Sequence, residues 1–474
     1  MKIIGRRSEQ KELELCEKSK KSELVCVYGR RRVGKTFLIE QTYGNYFAFR
    51  ATGLEKGSTR QQLRAFNQRL MECGDDVKTI PKNWFEAFSR LDKVLSKENV
   101  LLSPHNKKIV FLDEFPWFAT QKSDFLLAFE DFWNRRGTQE GNFVFVICGS
   151  ATSWIIKNVL DDTGNLYHRV TRQIFLSPFT LAESEQFFRD RDFDWSREQI
   201  MEFYMVFGGL PFFMDLLNAN ESFNQNVDRL LFKPGALLRG ETNRLLEATL
   251  SKSPAYGQVL QLLSKRNYGM KKSACQSESG ISSGTFSRII EDLLKCGYIV
   301  EYKRNYEKGN PLYIQLVDPF LLFHYHFMHK EESISCYDDL THNTGLFMNW
   351  RGHAFEVLCM HHIPQIKMAL GISGVKTKCF QWENKEQKDN VQIDLVIERE
   401  DKITNICEIK CTEHPFAISR EYDQMLIRKR EVFREKTATK NALKLIMISA
   451  TGIAGLAHTE HIADVVTLDD LFAS

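Results

Sequence analysis

Short apolar runs alternate with longer amphipathic stretches over the first 180 residues of the chain. The runs LVCV, IVFL and FVFVIC begin at Leu24, Ile109 and Phe143. Continuous apolar runs of four to eight residues are typical of strands buried on both faces of a parallel sheet. Their alternation with helical stretches predicts an α/β domain with a doubly wound parallel sheet, whose ligand binds at the carboxyl edge of the strands.

The pattern changes between residues 252 and 318. A short helix, a turn at Gly280 and a second helix from about Ser283 to Lys295 are predicted. Two strands and a basic connecting loop with Gly309 follow, one strand from about Ile299 and the other from about Leu312. The apolar face of the second helix consists of Phe286, Ile289, Ile290, Leu293 and Leu294. This order of elements predicts a helix-turn-helix with a wing.

Alternation of apolar and polar positions marks the C-terminal part of the chain. Apolar residues at 391, 393, 395 and 397 share one face of a predicted strand, and Asp394 lies on the other face. In the next predicted strand, ITNICEIKC, Glu408 and Lys410 share a face. Upstream, NWRGHAFEVLCMHHI predicts a helix that carries Glu356. Two acidic strands and an acidic helix therefore belong to one predicted domain.

Composition narrows the class of protein. The 474 residues are 43% hydrophobic and 26% charged, which is typical of a soluble globular protein of several domains. The net charge of +3 gives no global attraction for nucleic acid, although residues 252–310 carry ten Lys or Arg against five Asp or Glu. The 11 cysteines form no CxxC pair and indicate reduced residues of a cytoplasmic protein. Neither a signal peptide nor a membrane span is predicted.

The sequence GRRRVGKT, between a predicted strand and a predicted helix, has the spacing of a phosphate-binding loop. Loop glycines let backbone N–H groups surround phosphates, Lys35 neutralises the β- and γ-phosphate charge, and the hydroxyl of Thr36 is offered to Mg²⁺. The residues expected around ATP are Gly29, Arg30, Arg31, Arg32, Val33, Gly34, Lys35, Thr36 and Phe37.

An apolar strand in KKIVFLDEFPWF ends in two acidic residues that would face the phosphate loop. Asp113 is expected to hold Mg²⁺, and Glu114 to polarise the attacking water. The next strand, in NFVFVICGSATSW, ends in small polar groups. Either Ser150 or Thr152 could sense the γ-phosphate, with a simple strand cap as the alternative for each.

Two further segments have candidate roles. Arg169 or Arg172, before another strand-like run, could neutralise transition-state charge in this subunit or in a neighbour; a surface arginine is the alternative. In MVFGGLPFFMDLL, glycines precede Pro211, which is a signal for the start of a helix.

Glu356, Asp394, Glu408 and Lys410 form a candidate catalytic set. Three carboxylates and a lysine can hold one or two Mg²⁺ ions and activate water against a phosphodiester, with Asp394 and Glu408 as the expected metal ligands. A solvated strand pair with incidental charges is the alternative. The nearby histidines are not expected to bind metal. In the predicted winged helix, Arg288 and several Ser and Thr residues could contact a DNA groove, or the module could be a spacer.

Together, IIGRRSEQKELE, the GRRRVGKT loop, the LDE strand and the GGLP segment resemble the archaeal-type ATPase family, a STAND-like branch of the AAA+ ATPases. The C-terminal third resembles a domain of unknown function related to PD-(D/E)xK nucleases. The resemblance implies that Ile4, Gly5 and Arg6 lie near the adenine and that the segment ending at Pro211 brings a helical lid onto the nucleotide. It also implies an arginine-finger role for Arg169, although His168 replaces the usual glycine.

The expected architecture is a P-loop ATPase core (1–178), a helical lid (179–250), a winged helix (251–318), a linker (319–345) and a restriction-endonuclease-like α/β domain (346–474). The leading hypothesis is a nucleic-acid-associated ATPase with a Mg²⁺-dependent nuclease site. The alternative is a regulatory ATP switch whose winged helix binds DNA or a partner and whose nuclease fold is inactive. Residues 346–474 carry 17 Lys or Arg and 18 Asp or Glu, which does not favour the first hypothesis. A homo-oligomer is compatible with both.

Overall fold

A computed structural model describes residues 2–137, 141–161, 166–242, 246, 253–303, 309, 311–328, 336–342, 344–384, 386, 390–455 and 457–473. The chain forms two compact units. The first unit comprises residues 1–178 and 245–252, and the second comprises residues 179–244 and 253–474.

The first unit is built on a parallel sheet. Its strands are β1 (Glu23–Tyr28), β2 (Phe47–Thr52), β3 (Lys108–Asp113), β4 (Phe143–Gly149) and β5 (Arg172–Phe175), in the spatial order β2-β3-β4-β1-β5. All four neighbouring pairs are parallel, so the carboxyl ends of the strands meet at one edge. The prediction of an α/β unit with a parallel sheet is therefore confirmed.

Helices cover both faces of the central strands β1, β3 and β4, which are almost entirely buried; every residue of β4 is buried. The helices of the first unit are Arg7–Lys18, Lys35–Tyr43, Thr59–Glu72, Trp84–Leu95, Phe115–Phe118, Phe125–Phe132 and Thr152–Ile155. Much of the core on one side is aromatic. The ring of Trp84 lies 4.8 Å from that of Phe125, which stacks on Phe118 at 5.3 Å. Such large buried rings stabilise the sheet that positions the nucleotide-binding loop.

The second unit begins with helices that pack around a pair of glycines. Phe179 donates its backbone N–H to the carbonyl of Gly209 at 2.6 Å, and Tyr204 donates its hydroxyl to the carbonyl of Phe179. A Cβ atom at position 209 would lie 2.0 Å from the carbonyl oxygen of Phe179. Only glycine fits at position 209, because the backbone of Phe179 leaves no space for a side chain there. The second glycine of the GGLP segment is therefore required by packing within the second unit.

The helices of the second unit are Leu181–Arg189, Arg197–Phe207, Pro211–Asp215, Phe223–Val227, Ala255–Ser264, Lys272–Ser279, Ser283–Lys295, Pro319–Phe323, Tyr337–His342, Thr344–His361, Ile363–Ala369, Arg420–Thr437 and Leu468–Leu471. The helix Ser283–Lys295 has the bounds that the apolar pattern predicts. Four of its five predicted core residues are buried, and Leu294 is half-buried.

A small antiparallel sheet is formed by one strand that precedes that helix along the chain and two strands that follow it. It consists of β6 (Met270–Lys271), β7 (Ile299–Lys303) and β8 (Leu312–Leu316), in the order β6-β8-β7. The loop between β7 and β8, which the sequence marks as a basic wing and which includes Arg304, lies outside the described residues except for Gly309 and Pro311. Its role as a wing stays a prediction.

The C-terminal sheet is mixed. Its strands are β9 (Thr377–Asn384), β10 (Val391–Arg399), β11 (Ile403–Lys410), β13 (Ala442–Ser449) and β15 (Ile462–Thr467), in the order β15-β13-β11-β10-β9. A separate parallel pair joins β12 (Phe416–Ala417) to β14 (Ile453–Ala454). Strands β9, β10 and β11 are antiparallel, whereas β11, β13 and β15 are parallel. The antiparallel pairing places the middle of β10 beside the end of β11.

His362 is a structural histidine of the second unit. Its Nε2 accepts from the N–H of Leu181 at 3.0 Å, and its Nδ1 lies 2.8 Å from the carbonyl of Leu358. Both contacts are satisfied together only when the ring is neutral, with its proton on Nδ1. Burial lowers the pKa of His362 to about 4, so the ring is neutral at pH 7, and both of its nitrogen atoms already have partners within the protein.

Stability should therefore fall on acidification. Below a pH of about 6.5 the unfolded chain protonates this histidine and the folded chain does not, so the contribution is full above that pH and is lost as the pH approaches 4. We expect a loss on the order of 2 kcal/mol between pH 7 and pH 5, measured by denaturant unfolding. His362→Gln should be less stable at pH 7 and less pH-dependent. Equal pH slopes in His362→Gln and in the exposed control His414→Gln would contradict this prediction.

Candidate nucleotide site and C-terminal carboxylate site

The phosphate loop connects β1 to the helix that begins at Lys35. Gly29 and Gly34 have φ angles of 146° and 94°, which residues with a side chain rarely adopt. A Cβ atom at Gly29 would also lie 2.4 Å from the carbonyl oxygen of Leu176. Both glycines are therefore required by the backbone path of the loop.

Lys35 lies inside the loop. Its Nζ donates to the carbonyls of Gly29 at 3.0 Å and Arg30 at 2.8 Å. Burial lowers the pKa of Lys35, and the nearby acidic groups of Cys148, Glu114 and Asp113 oppose that shift. The ammonium is thus held by two carbonyls of the loop, beside the backbone that would surround the phosphates.

Asp113 ends β3 and joins it to the loop. The hydroxyl of Thr36 lies 3.1 Å from Oδ2 of Asp113, and Oδ1 accepts from the thiol of Cys148 at 2.7 Å and from the N–H of Glu114 at 2.9 Å. Thr36 and Asp113 are 77 positions apart in the sequence. Their oxygen atoms are the ligands that Mg²⁺ prefers, so this pair fits a magnesium ion that accompanies ATP.

Glu114 adopts a left-handed backbone conformation with a φ of 47°. Its carboxylate accepts from the backbone N–H of Ser150 at 3.1 Å and from the Ser150 hydroxyl at 3.0 Å. Burial raises the pKa of Glu114, and Lys35 opposes that shift. The sequence predicts Ser150 at the γ-phosphate; in the structure it orients Glu114. Thr152, the other candidate, is fully buried.

The N-terminal segment lies against the same loop. Arg6 has a φ of 56° and donates to the carbonyls of Val33 at 3.4 Å and Ser177 at 2.5 Å. Ile4 is buried, with 6% of its surface exposed. The structure thus brings the segment from Ile4 to Arg6 beside the phosphate loop, while its predicted contact with adenine stays a prediction.

Arg169 lies at the other end of the sheet. The N–H of Thr171 donates to the carbonyl of Leu24 near the start of β1, and Val25 pairs with Arg172 at the start of β5. Arg169 donates to Asn134 Oδ1 at 2.8 Å and lines an open groove of about 880 Å³ with Lys20 and Lys21, among others. Because the phosphate loop follows the opposite end of β1, Arg169 is remote from the nucleotide site of its own chain.

Pro211 belongs to the second unit, where it begins the helix Pro211–Asp215. The sequence signal for a helix start is therefore confirmed. Its predicted contact with the nucleotide stays a prediction.

The C-terminal carboxylates also meet in space. Asp394 and Glu408 have only 5% and 4% of their surface exposed, and Oδ2 of Asp394 accepts from the N–H of Ile409 at 2.8 Å. The Nζ of Lys410 lies 2.9 Å from Oε1 of Glu408. Glu356, on the helix Thr344–His361, is close enough to Asp394 to raise its pKa. The structure thus brings together the four residues that the sequence singles out.

Three side chains that the sequence analysis missed complete this cluster. The Nζ of Lys429 lies 2.5 Å from Oε2 of Glu408, and the hydroxyl of Tyr422 donates to its Oε1 at 2.7 Å. Both come from one face of the helix Arg420–Thr437, where a seven-residue spacing could have indicated them. The third, Tyr268, comes from a turn that precedes β6, and no local pattern indicates it.

The two lysines of this cluster both form ion pairs with Glu408, so the negative charges of the three carboxylates are not compensated equally. Burial raises the pKa of Glu356 to about 8, and burial with the charges of Glu408 and Glu356 raises the pKa of Asp394. Burial alone would also raise the pKa of Glu408, but Lys429 and Lys410 hold it below its usual range. Within the part of the chain that the structure describes, no group of three or more His, Cys, Asp or Glu side chains is arranged to hold a metal ion.

A parallel sheet of this strand order, with a phosphate loop after β1 and an acidic residue at the end of β3, defines a P-loop NTPase domain. Comparison with known families specifies it further. Residues 4–217 match a family of ATPase domains found predominantly in Archaea. This part of the chain is therefore similar to ATPase domains of the archaeal type.

Individual relatives are distant. An uncharacterized protein of Methanocaldococcus jannaschii is 20% identical over 297 residues, which cover 63% of this chain and 62% of the relative. A Walker-type ATPase of Pyrococcus abyssi has a TM-score of 0.49 at 17% identity and covers 68% of this chain and 96% of its own. The ORC2 protein of Aeropyrum pernix has a TM-score of 0.42 at 13% identity, with coverages of 68% and 93%. Since both TM-scores are below 0.5, the assignment rests on the sequence family.

The described residues do not meet the requirements for a membrane-spanning helix. None of their helices combines the length and the apolar character that crossing a bilayer requires.

Proposed function

We propose that the N-terminal site hydrolyses ATP with Glu114 as the residue that activates water. The observation that supports this role is the position of its half-buried carboxylate, one residue after Asp113 and oriented by two donors of Ser150. A carboxylate whose pKa is raised by burial is a better proton acceptor than an exposed one. Lys35 would bind the phosphates, and Thr36 and Asp113 would hold Mg²⁺, which neutralises phosphate charge when it is bound.

Arg169 has a place in this proposal only in an assembly. Its side chain is remote from the phosphate loop of its own chain, so a charge-neutralising role would require the nucleotide of a neighbouring copy. The groove that it lines with Lys20, Lys21 and His168 is basic, as a surface that meets bound phosphate must be. We therefore propose that Arg169 acts between subunits of a homo-oligomer.

For the C-terminal domain we propose a Mg²⁺-dependent nuclease site. The observation that supports it is the buried cluster of Glu356, Asp394 and Glu408, whose two nearby lysines both contact Glu408. Among the described residues, no lysine forms an ion pair with Asp394 or Glu356, and burial is the main cause that raises the pKa of both carboxyl groups. Their oxygen atoms suit Mg²⁺, which would polarise a phosphodiester when it is bound. Lys410 would then stabilise the negative charge that develops on the phosphate.

One observation favours the alternative of an inactive fold. Glu408 is already satisfied by Lys410, Lys429 and Tyr422, so this carboxylate needs no cation to be stable. In that case the domain would be a scaffold, and the chain would be a regulatory ATP switch. The two functions differ in one measurable respect, since only the first cleaves nucleic acid.

Nucleic-acid association is proposed through the helix Ser283–Lys295 and the adjacent β7. Arg288 is exposed on the helix, together with Ser283 and Ser287, and Lys303 is exposed at the end of β7. Small hydroxyl groups and cations on one exposed surface suit the phosphates of a duplex. ATP turnover measured with and without duplex DNA tests whether binding and hydrolysis belong to one function.

Replacing Arg288 and Lys303 by glutamine should weaken duplex binding and flatten its salt dependence. The slope of log K against log salt is negative, and each lost phosphate contact makes it less steep by about 0.9. We expect a loss of about two units of slope for the double variant in a titration with labelled duplex. The matched control is Lys18→Gln with Arg69→Gln, two exposed cations of the first unit. Equal slopes in both double variants, or no binding by the parent protein at low salt, would make the module a spacer or a protein-binding surface.

A further inference from the structure

Tyr268 connects the small antiparallel sheet to the carboxylate cluster. It lies in the turn between the helix Ala255–Ser264 and β6. Its hydroxyl oxygen lies 3.4 Å from Oε1 of Glu356 and 3.4 Å from Oδ1 of Asp394. A residue 126 positions before Asp394 thus contacts the two carboxylates of the cluster that form no ion pair with a lysine among the described residues.

The turn that carries Tyr268 is firmly attached to its own sheet. Tyr302 donates its hydroxyl to the carbonyl of Tyr268 at 2.7 Å, and the buried Gln315 donates to the carbonyl of Asn267 at 2.7 Å. Gly269 has a φ of 65°, and a Cβ atom there would lie 2.7 Å from the carbonyl oxygen of Ile314. Tyr268 therefore moves either with this sheet as a whole or after these contacts break.

The small antiparallel sheet also packs against the C-terminal sheet, next to the carboxylate cluster. Tyr302, on β7, packs against the apolar core of the C-terminal sheet and stacks on Tyr313 at 5.8 Å. Tyr268 is itself half-buried. The contact is consequently part of a packed interface within one compact unit, and is not an isolated side chain that happens to reach a neighbour.

The position of the hydroxyl matters for ligand access. A divalent cation binds carboxylate oxygens directly, at about 2.0–2.6 Å. Tyr268 contacts one oxygen of each of the two carboxylates. Of the other two oxygens, Oδ2 of Asp394 accepts from the backbone N–H of Ile409, and Oε2 of Glu356 lies 3.5 Å from Nδ1 of His353. A cation that uses Asp394 and Glu356 together must therefore displace the tyrosine.

We propose that Tyr268 is a plug through which the helix-turn-helix module closes the C-terminal carboxylate site, so that a divalent cation and a phosphodiester enter only after the turn has moved away. This inference rests on the proposed metal site. It places the control of access in the module that is proposed to bind duplex DNA, and it couples the two modules through one side chain.

The test is Mn²⁺ binding to the full chain without nucleotide, measured by titration calorimetry. Tyr268→Ala should bind Mn²⁺ at least about tenfold more tightly than the parent protein, because no side chain has to be displaced. Adding Asp394→Asn to that variant should remove the gain. Tyr302→Phe, which loses only the anchor of the turn, should give a smaller gain with an intact core. Tyr167→Ala, which replaces an exposed tyrosine of the first unit, should change nothing.

The possible outcomes separate the plug from the site. If the parent protein binds Mn²⁺ in a manner that depends on Asp394, and Tyr268→Ala and Tyr302→Phe bind no more tightly, the plug is wrong and the metal site stands. If neither the parent protein nor any variant binds Mn²⁺ through Asp394, both proposals are wrong, the metal site and the plug that depends on it. Tighter binding in Tyr302→Phe supports the plug even if Tyr268→Ala fails to fold.

Discussion

Lys35→Ala is expected to weaken ATP binding by at least about 100-fold, or about 2.7 kcal/mol. The ammonium of Lys35 lies inside the phosphate loop, where its contacts are the carbonyls of Gly29 and Arg30. Without it, the phosphates lose a charge-assisted partner that N–H groups alone do not replace. The measurement is calorimetric titration with ATP and Mg²⁺. Lys18→Ala, which removes an exposed lysine of the same unit, is the matched control.

Glu114→Gln should separate binding from hydrolysis in the same assay. Glutamine keeps the size of the side chain and can still contact Ser150, but it cannot accept a proton from water. We expect an ATP affinity close to that of the parent protein and a turnover number that falls by about 10²–10⁴-fold. The control is Glu98→Gln, an exposed glutamate of the same unit. Full turnover in Glu114→Gln would show that another group activates water, and unchanged ATP binding in Lys35→Ala would contradict the role of the loop.

The second large effect concerns cleavage of nucleic acid. Glu408→Gln and Lys410→Ala should each lower Mg²⁺- or Mn²⁺-dependent cleavage by at least about 100-fold, since each removes a charge that acts on the phosphodiester or on its cation. Glu408 is nearly completely buried and lies 2.9 Å from the Nζ of Lys410. Labelled single-stranded DNA, duplex DNA and RNA are the substrates, with and without ATP, because access to the site could depend on the nucleotide state.

The C-terminal sheet offers a matched control pair. Glu400 and Lys376 form an ion pair at 3.0 Å, with 66% and 81% of their side chains exposed. Glu400→Gln and Lys376→Ala make the same chemical changes away from the carboxylate cluster and should cleave as the parent protein does. A parent protein that cleaves none of the substrates, and whose melting temperature does not rise with Mg²⁺ or Mn²⁺, would mean an inactive nuclease fold and a regulatory ATP switch.

The sequence by itself determined the local parts of both sites. The phosphate loop can be recognised because its chemistry requires contiguous residues: two glycines, a lysine and a hydroxyl side chain between a buried strand and a helix. Period-two alternation likewise placed Glu408 and Lys410 on one face of β11 before any contact was known. The helix from Ser283 to Lys295 followed from its apolar stripe. In each case a short stretch of sequence contains all the information.

Tertiary structure alone decided which distant side chains complete these sites. Ser150 orients Glu114 only because β4 lies beside β3, and the pairing of β5 with β1 places Arg169 away from its own phosphate loop. Tyr268 meets Asp394 across 126 positions of the chain. Such contacts depend on how helices and sheets pack, and packing satisfies volume and buried charge over the whole unit. A local pattern predicts an element and its buried face, but it does not name the side chain that the element will meet.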